Sequence, residues 1–115
     1  MELRQQIAAM YARRGDPDAL VRSFRRAELV VALTDDDAML ALTDRGVQWL
    51  CAFTSTEALA RFAVAREAGD RSWSFRRAAG AALQDSRGNA PLGVAVDLAG
   101  EQPMLFPPAP GQGVR

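Results

Sequence analysis

The chain has 115 residues, of which 49% are hydrophobic, with 14 basic side chains balanced by 14 acidic ones and no histidine. That length suits one domain with its own core, and the zero net charge offers no global field to draw in nucleic acid or an anionic membrane. The missing histidine removes the commonest general base, the commonest metal ligand and every Ser-His or Cys-His relay; since every basic residue is arginine, a P-loop is excluded as well.

Leu3, Ile7, Met10 and Tyr11 recur at helical spacing and predict a short amphipathic helix over the first dozen residues. Gly15 reads as its stop, Asp16 as the cap of a second helix and Pro17 as that helix's first position, where a missing donor costs nothing. Leu20, Phe24 and Ala27 form the second apolar stripe, so the start of the chain is an αα-hairpin that must pack on something.

From Glu28 the period changes to two. Leu29, Val31 and Leu33 alternate with Val30, Ala32 and Thr34 as a strand, Asp35-Asp36-Asp37 is a turn, and Met39 to Leu42 is a second short strand. Thr43-Asp44-Arg45-Gly46 supplies the next turn, with Gly46 available for a positive φ. Val47, Trp49, Cys51 and Phe53 then point one way and Leu50 and Ala52 the other, so this third strand is apolar on both faces and interior to a sheet. Read as an antiparallel meander, it pairs with the second strand on one side and a later strand on the other. Thr54 and Glu57 have capping-box spacing for a helix bearing Leu59, Phe62 and Ala63, which fades at Ala68-Gly69-Asp70. Ser72 to Arg76 alternates as a half-buried strand, Ala78 to Gln84 reads as a short helix before Arg87-Gly88-Asn89, and Leu92 to Leu98 is a strand. Ala99 to Pro103 turns the chain back through Met104-Leu105-Phe106, after which Pro107, Pro108 and Pro110 end regular structure.

The fold class is therefore α+β: an N-terminal αα-hairpin (1–27), a mixed and mainly antiparallel sheet of about five to six strands with helices packed on it (28–106), and a Pro/Gly-rich tail (107–115).

Chemistry is sparse. The Asp35-Asp36-Asp37 cluster lacks the spaced acids, central glycine and terminal glutamate of a calcium loop and reads as a solvated turn, so no metal is expected. Cys51 is the single cysteine; it excludes an internal disulfide, fits a reducing cytoplasm, and sits among apolar neighbours that suit a core thiol better than a nucleophile. Thr54, Ser55 and Thr56 could face an anion at a helix start, yet the cap already uses those donors. Arg13, Arg14, Arg22, Arg25 and Arg26 make the hairpin locally basic without the aromatic platform that nucleic acid would need. No apolar run reaches the ~20 residues that span a bilayer, and the N-terminus has no apolar export core, so neither membrane insertion nor export is expected.

Two stretches resemble the N-terminal domain of the SseB family, named for enhanced serine sensitivity. The first is Leu50-Cys51-Ala52-Phe53-Thr54-Ser55-Thr56-Glu57-Ala58-Leu59, similar to the family's apolar strand that ends in Ala-Phe-Thr-Ser and enters a helix. The second is Leu92 to Gly100, where the family's common Asn-Pro-Gly turn is replaced by Asp97-Leu98-Ala99-Gly100. The resemblance runs from about Glu28 to Phe106, lacks the C-terminal domain of some relatives and carries over no catalytic residues or cofactors. It implies a bacterial accessory protein of the kind found near specialised secretion loci in actinobacteria.

The expected function is thus a non-enzymatic, cytoplasmic adaptor acting on a protein partner. Arg13, Arg14, Arg22, Arg25 and Arg26 form one proposed contact surface and Met104, Leu105 and Phe106, running into Pro107 and Pro108, the other. Two alternatives stand beside it. One is a small-ligand or enzymatic module with a pocket between the sheet and the helix after Thr54, where Trp49, Trp73 and the hydroxyls converge; the other is a homodimer packed through the hairpin.

Overall fold

In the computed structural model, which describes residues 2–66, 73–86 and 92–108, four helices pack on one six-stranded mixed sheet. The hairpin comes first, as α1 (Leu3–Tyr11) and α2 (Pro17–Arg26). Its turn differs from the expectation in one respect. Arg13, at φ 61°, takes the left-handed position that stops α1; its N–H donates to the Met10 carbonyl, and the Arg14 N–H reaches the Ala9 carbonyl at 3.0 Å. Gly15 is needed for closeness instead, since a Cβ there would lie 2.5 Å from the Met10 sulfur. Asp16 caps α2 as its sequence position predicts, accepting from the Asp18 N–H at 3.0 Å, with Pro17 at the first turn.

The strands are β1 (Glu28–Ala32), β2 (Ala41–Asp44), β3 (Val47–Phe53), β4 (Phe75–Ala79), β5 (Leu92–Val96) and β6 (Met104–Phe106). Helix α3 (Thr56–Ala65) follows β3 and the short α4 (Gly80–Gln84) follows β4. Strand order is β4-β1-β3-β5-β6, with β2 on the same side of β3 as β1. The meander is thereby corrected. β1 and β2 are two successive pieces of one edge along β3, matched at Val31↔Ala52 and then at Ala41↔Leu50. The intervening excursion (33–40) is closed by a Thr34 N–H bond to the Ala38 carbonyl at 2.7 Å and by Asp37 at φ 62°. The β2–β3 hairpin turns through Arg45 (φ 52°) and Gly46 (φ 82°), the two-residue geometry with both central φ angles positive that suits sheet twist.

On its other side β3 pairs with β5 in parallel, from Gln48↔Leu92 to Ala52↔Val96. β3 is therefore interior, and its two apolar faces serve two clusters. Leu50 and Ala52 join Leu3, Ile7, Leu20 and Phe24 of the hairpin, Leu83 of α4, and Val94, Val96 and Phe106. Cys51 and Phe53 join Val30, Ala32, Leu59 and Phe62 under α3. The hairpin thus shares its core with the sheet.

Two further glycines set close approaches. A Cβ on Gly80 would sit 1.9 Å from the Phe24 carbonyl oxygen, and one on Gly93 would enter the Trp49 ring at 2.5 Å. The first explains why β4 lies three residues later than its sequence pattern suggests: Gly80 has to meet α2, where its N–H donates to the Ala27 carbonyl at 2.9 Å, and β1 is paired along its whole length from Glu28↔Ala79 to Ala32↔Phe75. The expectations for Ala68-Gly69-Asp70, Ser72, Arg87-Gly88-Asn89 and the tail beyond Pro108 lie outside the described residues.

Candidate functional site

β3 and β5 are the parallel pair of this sheet, and the chain leaves both at the same rim. In α/β sheets such carboxyl ends are where a crevice opens beside a helix N-terminus. Here the two exits are tied together. The Thr54 N–H donates to Asp97 Oδ1 at 2.8 Å, the Thr54 hydroxyl donates to Asp97 Oδ2 at 2.7 Å, and the Asp97 N–H donates to the Ala52 carbonyl at 2.9 Å. Asp97 holds φ 56°, a left-handed conformation that aspartate tolerates better than most residues, and its carbonyl accepts from the Gly100 N–H at 2.9 Å to close the loop toward β6.

This corrects the reading of the helix cap. Thr54 is engaged with Asp97, so the cap of α3 falls to Ser55, whose Oγ accepts from the Ala58 N–H at 3.1 Å. The sequence places Thr54 at the right junction with the wrong partner. Asp97 stands out in the sequence only as an altered turn; its signal is an acid at the end of an apolar strand followed by small residues.

Around this clamp lies an open cleft of about 710 Å³. Its walls are the start of α1, with Arg4 and Gln5, the first turns of α3, with Arg61, and the β5–β6 loop, with Glu101. A second hollow of about 230 Å³ adjoins it and shares Glu2, Arg4 and Thr54. The lining carries both signs of charge, and Asp97 spends both carboxylate oxygens on Thr54. Such an arrangement can hold a charged, hydrogen-bonding group through guanidinium and amide donors.

The space expected between the sheet and α3 is filled. Val30, Ala32, Cys51, Phe53, Ala58, Leu59 and Phe62 occupy it, with Phe53 at 0% exposure. Trp73 packs edge-on against Phe62 with ring centroids 6.3 Å apart, and Trp49 covers Gly93, so the two tryptophans and the Thr54 hydroxyl do not converge. Cys51 is fully buried, and burial pushes its thiol up to about 11 against a smaller opposing pull from Arg66. Among the described residues no three acidic or cysteine side chains group as a metal set, and no helix is long and apolar enough to cross a membrane.

The residues proposed for partner contact divide. Arg13, Arg14, Arg22 and Arg26 are exposed. Arg25 is engaged by α4 and the residue after it: it donates to Gln84 Oε1 at 2.6 Å and to both Asp85 carboxylate oxygens at 3.1 Å. That hydrogen bonding to Asp85 raises the already high Arg25 pKa further. Phe106 is buried and stacks on Phe24 with centroids 4.0 Å apart, Met104 is half-buried against the same core, and Leu105 faces outward at 52% exposure. The Tyr11 hydroxyl donates to the Pro103 carbonyl, which brings the hairpin and the β6 segment side by side.

The family model described as the SseB protein N-terminal domain matches residues 3–110. No curated protein and no solved structure matches the chain.

Proposed function

Because the chain belongs to the family of the SseB protein N-terminal domain, we propose that it is a non-enzymatic accessory protein of the bacterial cytoplasm that acts by contact with a protein partner, in association with a specialised secretion system. The observation that carries this reading is how the polar groups at the strand-end rim are used. Asp97, Thr54 and Ser55 are the side chains that chemistry would call on there, and each is committed to a bond that holds the fold. Hairpin arginines and Leu105 of β6 are among the side chains that face solvent, a charged and apolar surface of the kind used for recognition.

Cross-linking of the full chain in its host, run beside the triple variant R13E/R14E/R22E, tests this. A single protein recovered with the parent chain and lost with the variant is the expected result. Equal recovery with both would remove the hairpin surface, and light scattering of the purified chain separates a foreign partner from a second copy. Turnover of a small molecule by the purified chain would overturn the non-enzymatic reading.

A small-ligand module is the second reading, and the 710 Å³ cleft beside Thr54 is what favours it. Its test is a thermal-shift series of small charged metabolites. The expected result is a rise in Tm that Arg61→Glu abolishes; a flat series sinks the idea.

A further inference from the structure

Among the described residues β2, β4 and β6 each have one strand neighbour, and the two ends of the main strand order are unlike edges. β6 is three residues long and bounded by Pro103, Pro107 and Pro108, a short proline-flanked edge that resists further pairing. β4 has neither device. It pairs in unbroken register with β1 over five residues, contains no proline, and among the described residues has β1 as its only strand neighbour.

Which of its backbone groups face outward follows from the register. The Leu33 N–H donates to the Ser74 carbonyl at 3.0 Å and the Gly80 N–H to the Ala27 carbonyl at 2.9 Å, so Ser74, Arg76, Ala78 and Gly80 turn their backbone groups toward β1. Phe75, Arg77 and Ala79 therefore turn theirs toward solvent. Phe75 and Arg77 sit opposite Ala32 and Val30 and so share the α3 face, with the Arg77 guanidinium 5.5 Å from the Phe75 ring centroid. Arg76, opposite Val31, lies on the other face. All three side chains are exposed, and the Glu28 carboxylate, 3.9 Å from Arg77, is the acid that faces this strand from β1.

We propose that the β4 edge is a docking site for an extended acidic polypeptide segment of a partner, which adds to the sheet as a further antiparallel strand. The backbone of Phe75, Arg77 and Ala79 supplies the ladder of hydrogen bonds, and the side chains supply the choice of sequence. In antiparallel register the incoming segment places an acid opposite Arg77, a second acid opposite Arg76 on the other face and an apolar residue opposite Phe75. Two-fold pairing with a second copy of this chain is disfavoured by the same arginines, because it brings like charges together across the junction. This surface is separate from the hairpin arginines, so it stands or falls independently of them.

The test uses the full chain and a fluorescein-labelled peptide of sequence Ser-Thr-Val-Glu-Glu-Val-Thr, read by anisotropy, beside the same peptide with lysine in place of both glutamates. The acidic peptide is expected to bind, to weaken with added salt and to lose at least tenfold in affinity against R76E/R77E; the lysine peptide is expected not to bind. Ala79→Pro separates strand addition from simple charge attraction. Ala79 has φ −69°, which proline adopts without strain, and its N–H points away from β1, so the substitution removes one docking donor and leaves the fold's own ladder intact. A tenfold loss with an unchanged Tm supports strand addition; unchanged affinity overturns it. Amide exchange on the parent chain gives the same decision without a variant: the Phe75, Arg77 and Ala79 amides must gain protection with peptide, and failure to do so, or no binding at all, refutes the proposal.

Discussion

The two faces of the sheet are covered by different means. One carries α1, α2 and α4, and its cluster joins Leu3, Ile7, Leu20 and Phe24 at the start of the chain to Leu83, Val94, Val96 and Phe106 far along it. On the other, among the described residues, α3 is the one helix; it follows directly from β3 and packs Leu59 and Phe62 on Cys51 and Phe53, with Trp73 and Leu98 at the margin. The first face is held by contacts distant in sequence and the second largely by neighbours. Loss of one large side chain should therefore cost more on the first, where removal leaves a gap shared by several elements.

Phe24→Ala is the strongest probe of that contrast. Phe24 has no exposed surface and stacks on Phe106, so its truncation should cost about 3–5 kcal/mol, with Phe62→Ala at the lower end of that range, both read by urea denaturation. Equal costs would show that the two clusters act as one. Thr54→Val comes next. It deletes the hydroxyl bond to the Asp97 carboxylate while keeping the shape, and should cost about 1.5–3 kcal/mol, the range for bonds to charged groups. Ser55→Ala should cost about 1 kcal/mol through the lost cap. If the order of Thr54 and Ser55 were reversed, the clamp between β3 and β5 would not be the main tie at that rim.

The smallest effect is one of pH. The folded state keeps the Cys51 proton up to about 11, whereas an unfolded thiol releases it near its ordinary 9.0. The stability this contributes is fully present below pH 9 and falls as pH rises toward 11. At pH 9.5 the parent chain should have lost less than about 1 kcal/mol relative to Cys51→Ala, measured as the difference in denaturation midpoint between the two.

Much of the second, local face was legible in the residues. The alternation through Val47, Trp49, Cys51 and Phe53 and the turn at Gly46 depend on near neighbours, and the sequence shows them as the structure has them. What escaped was set by distant partners. Thr54 looks like a cap until Asp97, 43 positions away, claims its hydroxyl. β1 and β2 look like a hairpin until β3 takes both along one edge. β4 slid from Ser72–Arg76 to Phe75–Ala79 because Gly80 has to meet the Phe24 carbonyl, a contact that no local pattern announces. The rim cleft escaped for the same reason, since its walls come from three separate parts of the chain.

Trp49 lies over Gly93, and Trp73 lies against Phe62, with no other tryptophan in the chain. One indole thus reports on the closing of β3 against β5, a pairing that joins residues more than forty positions apart; the other reports on the side of the sheet that α3 covers. Long-range pairing of parallel strands is the slow part of assembling such a sheet, so a chain keeping only Trp49 and a chain keeping only Trp73 give refolding traces that time the two faces separately.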